Sequence, residues 1–356
     1  MAKRADSVVG IDLGNHVLKG VALRRKGASR FILTSFATRP VPEEFQSAED
    51  LSRELKQLMR DLGGSAKACA FAVSDPTTIL RIIEQPDTPV ELLRTALRFN
   101  GLAVLNQDCK DFVLDVAPVS SLSDNGSTSE KSSKAGGAAV LTQTKYLVGG
   151  MLRSEVKQIS EAAAKIRLSP ELIQVAPVCS FNAFEVAYPE IFANEAFLLL
   201  DTGHLQSTVL IGSKGELVLA RSIDYGGKAL MHALTAEDAL DADAAWLMIQ
   251  QGDEGMTEIC RNSLSGLAME VRNSIGFFEG QREEQINRIF VSGGLARAET
   301  VLQTLSDELT LPCEIWDPLE TSELALPAAK RQALPKEFVS LNVACGAAFE
   351  YLNGQT

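Results

Sequence analysis

Only three histidines occur in the 356 residues, and no two cysteines stand in a CxxC pair. The six cysteines (Cys69, Cys109, Cys179, Cys260, Cys313, Cys345) are scattered. They read as reduced, mostly buried thiols of a cytoplasmic protein, not as a zinc cluster or disulfide framework. No run reaches 18 apolar residues, so no helical span of a bilayer is expected. The first residues, Met1 to Asp6, lead straight into a strand and lack the apolar stretch of a secretory leader. Positive charge is also short. Thirty-four Lys and Arg face 46 Asp and Glu, a net charge of −12, which argues against non-specific nucleic-acid binding.

What is present is a repeated idea. Val8 to Gly14 (VVGIDLG) and Phe197 to Gly203 (FLLLDTG) are each an apolar strand running into an Asp-x-Gly turn. Another apolar run follows each, Val17–Leu23 and Ser207–Ile211, as in a hairpin. The Gly lets the chain turn tightly. Two such units predict two similar domains facing across a cleft. There the turns would offer backbone N–H groups to phosphates, and Asp12 and Asp201 would hold a hydrated Mg²⁺. At this length two cores are the default, and 46% apolar residues are enough to fill both.

Periodicity adds further elements. Three strands are read at Val8–Asp12, Val17–Arg24 and Phe31–Ala37, then an amphipathic helix Ala48–Leu62 stopped by Gly63-Gly64. A strand Lys67–Val73 and a strand Thr78–Gln85 follow, then a helix from Pro89 to about Asn100, with Asp87 or Thr88 as its cap. Strands Phe112–Val119 and Ala138–Gln143 flank a Ser/Gly-rich stretch, 120–137, read as a flexible hairpin loop. Lys145–Met151 is a strand and Ser154–Ile166 a helix. The second half holds strands Ala196–Asp201, Ser207–Ile211 and Glu216–Ile223 and two or three helices between Gly227 and Gln281, the last from Leu264. A strand Arg288–Val291 ends at Gly293-Gly294, and a helix Ala296–Leu309, a strand Cys313–Trp316 and a helix Leu341–Leu352 complete it. The fold class is α/β with internal duplication.

The ordered set Asp12-x-Gly14, Asp201-x-Gly203, Gly293-Gly294 and a small-residue final helix resembles the actin-like ATPases, and in detail PilM-like type IV pilus assembly proteins, relatives of FtsA. Residues 12–19 (DLGNHVLK) and 201–208 resemble the two phosphate motifs. Residues 78–100 resemble the start of the inserted subdomain, and 221–230 (RSIDYGGKAL) the strand and Gly-Gly after the second motif. Residues 270–281 and 288–297 resemble the adenosine side. The resemblance implies two duplicated sheet-and-helix lobes around a nucleotide cleft. Its divisions would be 1–77, an inserted α+β subdomain 78–170, a crossover 171–195, a second lobe 196–340 and a returning helix 341–356. It implies ATP and Mg²⁺ as cofactors. Asp12 and Asp201 would hold the metal, and Gly14, Asn15, His16, Lys19 and Gly203 would meet the phosphates. Gly227, Lys228, Glu270, Asn273, Gly293, Gly294 and Arg297 would bind the nucleoside, with Glu270 on the ribose and Arg297 stacked on the base. The partner implied is the N-terminal cytoplasmic tail of a PilN-like inner-membrane protein, docked between the first lobe and the insertion, within roughly residues 75–190. The chain would then sit in the cytoplasm, at the inner membrane through that partner. Self-association stays open, and nucleic acid is not expected.

Three departures bear on mechanism. Relatives tend to carry an acidic residue just before the crossover Pro and an Asp two places earlier, where this chain has Ala176 and Gln174. A methyl group cannot orient water, so nucleotide binding with slow or absent hydrolysis is expected, and no catalytic residue is assigned. Asn273 replaces a usual basic residue, and Asn15-His16 replace small hydroxyl residues. His16 and His204 follow the two turns but lack a third ligand, so a neutral loop-donor role is expected rather than metal binding. The alternatives are an FtsA-like filament-forming division adaptor and a phosphotransferase of the sugar or acetate kinase kind. The first usually ends in an amphipathic membrane helix, unlike Tyr351–Thr356, and the second needs a carboxylate near Ala176.

Overall fold

The computed structural model describes residues 6–27, 30–41, 45–64, 66–119, 143–236 and 241–354. The loop expected at 120–137 and most of the strand expected at 138–143 lie outside them. In the first lobe, β1 (Ser7–Leu13), β2 (Val17–Lys26) and β3 (Arg30–Pro40) form an antiparallel meander. Helix α1 (Ala48–Leu62) follows, capped by Ser47 and ended at Gly63, whose φ of 72° is the left-handed turn its Gly-Gly stop implied. Strand β4 (Ala68–Val73) returns parallel to β1.

The insertion is β5 (Ile79–Pro86), α2 (Val90–Leu105), β6 (Phe112–Val119) and β7 (Gln143–Leu152), with sheet order β5-β7-β6. Helix α2 runs past the expected end at Asn100, which is only a kink, to Leu105. Neither Asp87 nor Thr88 caps it. Pro89 takes the cap position, and the Thr88 hydroxyl donates to the Pro86 carbonyl instead. The insertion has its own core of Ile79, Leu93, Leu97, Phe112, Leu114, Tyr146 and Val148.

Helix α3 (Arg153–Lys165) buries Ile159, Ala162 and Ala163 in the first-lobe core rather than in the insertion's. The crossover forms β8 (Ser169–Val175), parallel to β4, then α4 (Ala176–Ala187) and α5 (Pro189–Asn194).

The second lobe repeats the meander with β9 (Ala196–Thr202), β10 (Ser207–Ser213) and β11 (Glu216–Ile223). Helices α6 (Gly227–Thr235), α7 (Ala242–Gln251) and α8 (Glu254–Gln281) follow. The last starts ten residues before the expected Leu264, because Asp253 caps it through the Met256 N–H. Strand β12 (Ile289–Gly293) pairs parallel with β9. A 3₁₀ turn, Leu295–Arg297, precedes α9 (Glu299–Leu309), so the helix expected from Ala296 is broken at Ala298. Strand β13 (Cys313–Ile315) ends this sheet, and β14 (Glu323–Leu324) joins the first lobe beside β3. Helices α10 (Ala328–Glu337) and α11 (Asn342–Asn353) close the described chain.

The duplication is explicit in strand order. The first sheet runs β14-β3-β2-β1-β4-β8 and the second β11-β10-β9-β12-β13. Removing β14 leaves the same topology and the same strand directions in both. The two lobes meet through α4 and α11, which pack on each other where Gly346 faces the Cys179 carbonyl. A Cβ at Gly346 would lie 1.7 Å from that oxygen. Strand β9 is buried on both faces, and its period-2 alternation sorts the side chains. Phe197 and Leu199 join the core around α4, while Leu198 and Leu200 join the core around α8.

Candidate functional site

The ends of β1 and β9 meet between the lobes. A cavity of about 440 Å³ lies there, lined by both Asp-x-Gly turns, the start of α4, and residues from α6, α7 and the 3₁₀ turn. Both turns are built alike. A Cβ at Gly14 would lie 2.6 Å from the Val17 carbonyl oxygen, and one at Gly203 2.6 Å from that of Gln206. Glycine is therefore required at each for the hairpin to close. The turns also touch. The rings of His16 and His204 stack with centroids 4.3 Å apart and planes 16° from parallel. That contact is direct evidence that the two hairpin tips face one another.

Asp12 is buried, and its carboxylate accepts from Lys19 Nζ at 2.7 Å and from Ser74 Oγ at 3.2 Å. Lys19 projects from β2, directly opposite Asp12 in the strand register. Burial pulls the Lys19 ammonium down, but the Asp12 charge and hydrogen bond, aided by Asp201, hold it above its usual 10.5. On the facing turn, burial raises the Asp201 carboxyl, and the Asp12 charge adds to this. Lys19, Ser292 and Asn342 oppose it. Ser292 Oγ donates to Asp201 Oδ1 at 2.7 Å, and Asn342 Nδ2 reaches Asp201 Oδ1, Ser292 Oγ and Ser180 Oγ at 3.0–3.1 Å. This buried network ties β9, β12, α4 and α11 to one carboxylate.

Gly293 ends β12 with φ of 93°, and a Cβ there would meet the Thr202 carbonyl oxygen at 2.3 Å. Bare backbone from β12 thus packs on β9 just beside Asp201. Gly227 and Lys228 donate their N–H groups to Gly203 and His204 carbonyls at 2.9 Å, which fixes the start of α6 against the second turn.

Of the fourteen sequence-predicted residues, eleven line the cavity: Asp12, Gly14, Asn15, His16, Lys19, Asp201, Gly203, Gly227, Gly293, Gly294 and Arg297. Lys228, Glu270 and Asn273 do not. Glu270 is paired with Arg221 of β11, and Asn273 is exposed on α8. Arg297 reaches the cavity wall with its guanidinium bonded to Glu337 at 2.8 Å and Ser340 at 2.9 Å. Ala176, the first residue of α4, also lines the cavity and brings no carboxylate. Asp75 does, but one oxygen accepts from both the Thr77 N–H (2.7 Å) and hydroxyl (2.6 Å). Sequence reasoning missed Ser74, Ser180, Ser292 and Asn342. For Ser292 and Asn342 the signal was a polar residue set among small or apolar ones; Ser74 sits just past the end of β4, before Asp75, and had none.

Residues 138–352, more than half the chain, match the family model described as type IV pilus assembly protein PilM. The chain belongs to the PilM family. Among solved structures, the PilM–PilN type IV pilus biogenesis complex superposes on this PilM-family chain with a TM-score of 0.80 at 22% identity, covering 98% of this chain and 99% of that one. Ethanolamine utilization protein EutJ from Carboxydothermus hydrogenoformans gives 0.54 at 13% identity over 98% and 91%. The (R)-2-hydroxyglutaryl-CoA dehydratase component A of Acidaminococcus fermentans gives 0.50 at 10% over 99% of each. A comparison by sequence with curated proteins gives no match. The fold is the duplicated actin-like ATPase fold that the resemblance implied. Among the described residues, no helix is long and apolar enough to cross a membrane.

Proposed function

We propose that this PilM-family chain is an ATP-binding scaffold that docks the cytoplasmic tail of a PilN-like inner-membrane protein. One observation carries the nucleotide half: two carboxylates, Asp12 and Asp201, converge from duplicate glycine turns on a single lysine inside one cleft. The donor set fits Mg²⁺, a hard ion that takes one or two carboxylates and completes its shell with waters and substrate phosphates. Among the described residues no group of three His, Cys, Asp or Glu converges, so the protein alone would not make a dedicated metal cage. Asp12 and Asp201 would hold the ion through water. A bound ion neutralises phosphate charge. Lys19 would exchange its Asp12 bond for a phosphate oxygen, as a flexible point charge can. Gly14 and Gly203 allow the backbone a close approach.

Holding, not hydrolysing, is what the remaining groups favour. Water attack on a phosphoryl group needs an orienting acceptor. Ala176 supplies none, and Asp75 is engaged with its own turn. Slow or absent turnover is the expected result.

The tail half rests on family membership and on the likeness to the PilM–PilN complex. An extended peptide in the groove between first lobe and insertion would bind through main-chain pairing with side-chain pockets for specificity. Through it, a cytoplasmic chain would be held at the inner membrane.

The test is calorimetric titration of the full chain with ATP, with and without Mg²⁺. Expected is Mg²⁺-dependent binding that Asp12→Ala and Asp201→Ala abolish. Equal behaviour of both variants and parent would overturn the nucleotide half. A synthetic PilN-like tail peptide that fails to bind with or without ATP would overturn the docking half.

A further inference from the structure

The far end of the cleft is built from elements that the nucleotide motifs do not include. Helix α7 is started by Asp241, whose side chain accepts from the Ala244 N–H at 2.8 Å, and stopped by Gly252 with φ of 72°. Ala245 and Ile249 bury in the second-lobe core. Trp246, one position on from Ala245, turns toward the cavity and lines it with Ala242 and Asp243. Met231 of α6 and Leu295 of the 3₁₀ turn line it as well. Trp246 is the one Trp, Tyr or Phe among the lining residues. It is half-buried against the core, so its ring is both held and presented.

The base platform expected at Arg297 fits less well. Its guanidinium is already bonded to Glu337 and Ser340. A planar purine needs a flat, apolar, polarisable surface, and an indole face supplies one without any prior bond to break.

We infer that Trp246 is the aromatic platform on which the nucleotide base stacks, and that it sets a preference for purine over pyrimidine nucleotides. This rests on the nucleotide reading above, since without bound nucleotide there is no base to stack. A purine overlaps an indole more fully than a pyrimidine does, so the ring contributes discrimination as well as affinity. Asp243, one turn earlier on the same helix, puts an acceptor at the same end for a sugar hydroxyl.

The chain carries a built-in readout. Its other tryptophan, Trp316, is 1% exposed in the core. A fluorescence change on adding nucleotide that disappears in Trp246→Phe therefore reports on Trp246. Full-length protein is titrated with ATP, CTP and inorganic triphosphate, each with Mg²⁺, by calorimetry and by tryptophan emission. Expected are quenching by ATP and tighter binding of ATP than of CTP. Trp246→Leu, which keeps apolar bulk, is expected to weaken ATP on the order of 10–100-fold. It should bring ATP close to CTP and leave inorganic triphosphate unchanged. Trp246→Phe keeps a smaller ring and should retain most of the affinity while losing the signal. ATP binding with unchanged affinity in Trp246→Leu and no quench in the parent would overturn the inference and leave nucleotide binding standing. No binding of any nucleotide to the parent would overturn both.

Discussion

Glu155 sits in the first turn of α3, close enough to Asp75 of the cleft rim that the two charges repel. A helix N-terminus ordinarily favours a carboxylate. Here burial wins. One of its oxygens, Oε2, is buried with no hydrogen-bond partner among the described residues, and burial, with the Asp75 charge added, pushes the carboxyl from 4.5 to about 7. A raised acid pKa means that the folded state binds the proton more tightly than the unfolded chain. Its contribution to stability is complete below about 4.5 and is lost as pH rises through about 7. A full shift of that size corresponds to about 3 kcal/mol at most, and partial exposure of the group reduces it to about 1–2 kcal/mol. Glu155→Gln keeps the shape and stays neutral at every pH. Parent and variant should melt together near pH 4.5. By pH 8 the variant should be more stable by about 1–2 kcal/mol, a rise in melting temperature of about 1–3 °C. Asp201, Asp317 and Glu185, also raised by burial, titrate in both proteins and cancel in the difference. Thermal melts every half unit of pH give the curve. Parallel curves from pH 4.5 to 8, or a variant less stable at pH 8, would refute the reasoning.

Other outcomes follow from the same geometry. Lys19→Met leaves Asp12 buried without its cation and should cost about 3 kcal/mol in chemical denaturation, most of it restored by adding Asp12→Asn. Asn342→Leu removes the amide that joins Ser180, Ser292 and Asp201, leaves the Ser292–Asp201 bond in place, and should cost about 1–3 kcal/mol by the same measurement. Gly346→Val cannot fit against the Cys179 carbonyl. It should lower the melting temperature of the full chain more than the same change at Gly266, which has open space. Phosphate release from Mg–ATP should be near background in the parent and should rise in Ala176→Glu, by up to about 10²-fold if the carboxylate reaches the water. Brisk parent turnover would contradict the holding role.

The hairpins were legible because their logic is local. An apolar strand, an Asp-x-Gly turn and a second strand are set by neighbours in sequence, and α1 announced itself by its stripe and its Gly63-Gly64 stop. The crossover was not. In α4 the residues Ala176, Cys179, Phe181, Ala183, Phe184 and Ala187 are all buried, so no polar face marks a helical period, and Pro177 reads as punctuation when it is the opening turn. Helix α10 was missed for the opposite reason. Apart from Leu334 it buries little, and Pro335, inside its last turn, reads in sequence as a breaker. The capping of α2 misled because Thr88 is pulled away by Pro86 and by Tyr146, a partner 58 residues distant.

The same distinction divides the cleft. The end proposed for the phosphates is read from two turns a few residues long, whose local spacing places Asp12 and Asp201 each at the end of a strand. The end proposed for the base lies where α6, α7 and the turn after β12 come together, and no local spacing encodes that meeting. Order along the chain pointed to Glu270, yet α8 presents that carboxylate to Arg221 of β11, while the helix before it carries Trp246 to the cavity. A motif places a residue on an element. Only the packing of that element decides which face meets the ligand. Trp246 therefore had no signal beyond being a lone large aromatic beside two fully buried core positions, Ala245 and Ile249. That position is the edge of a helix's buried stripe, where a side chain can be anchored by the core and still reach a cleft.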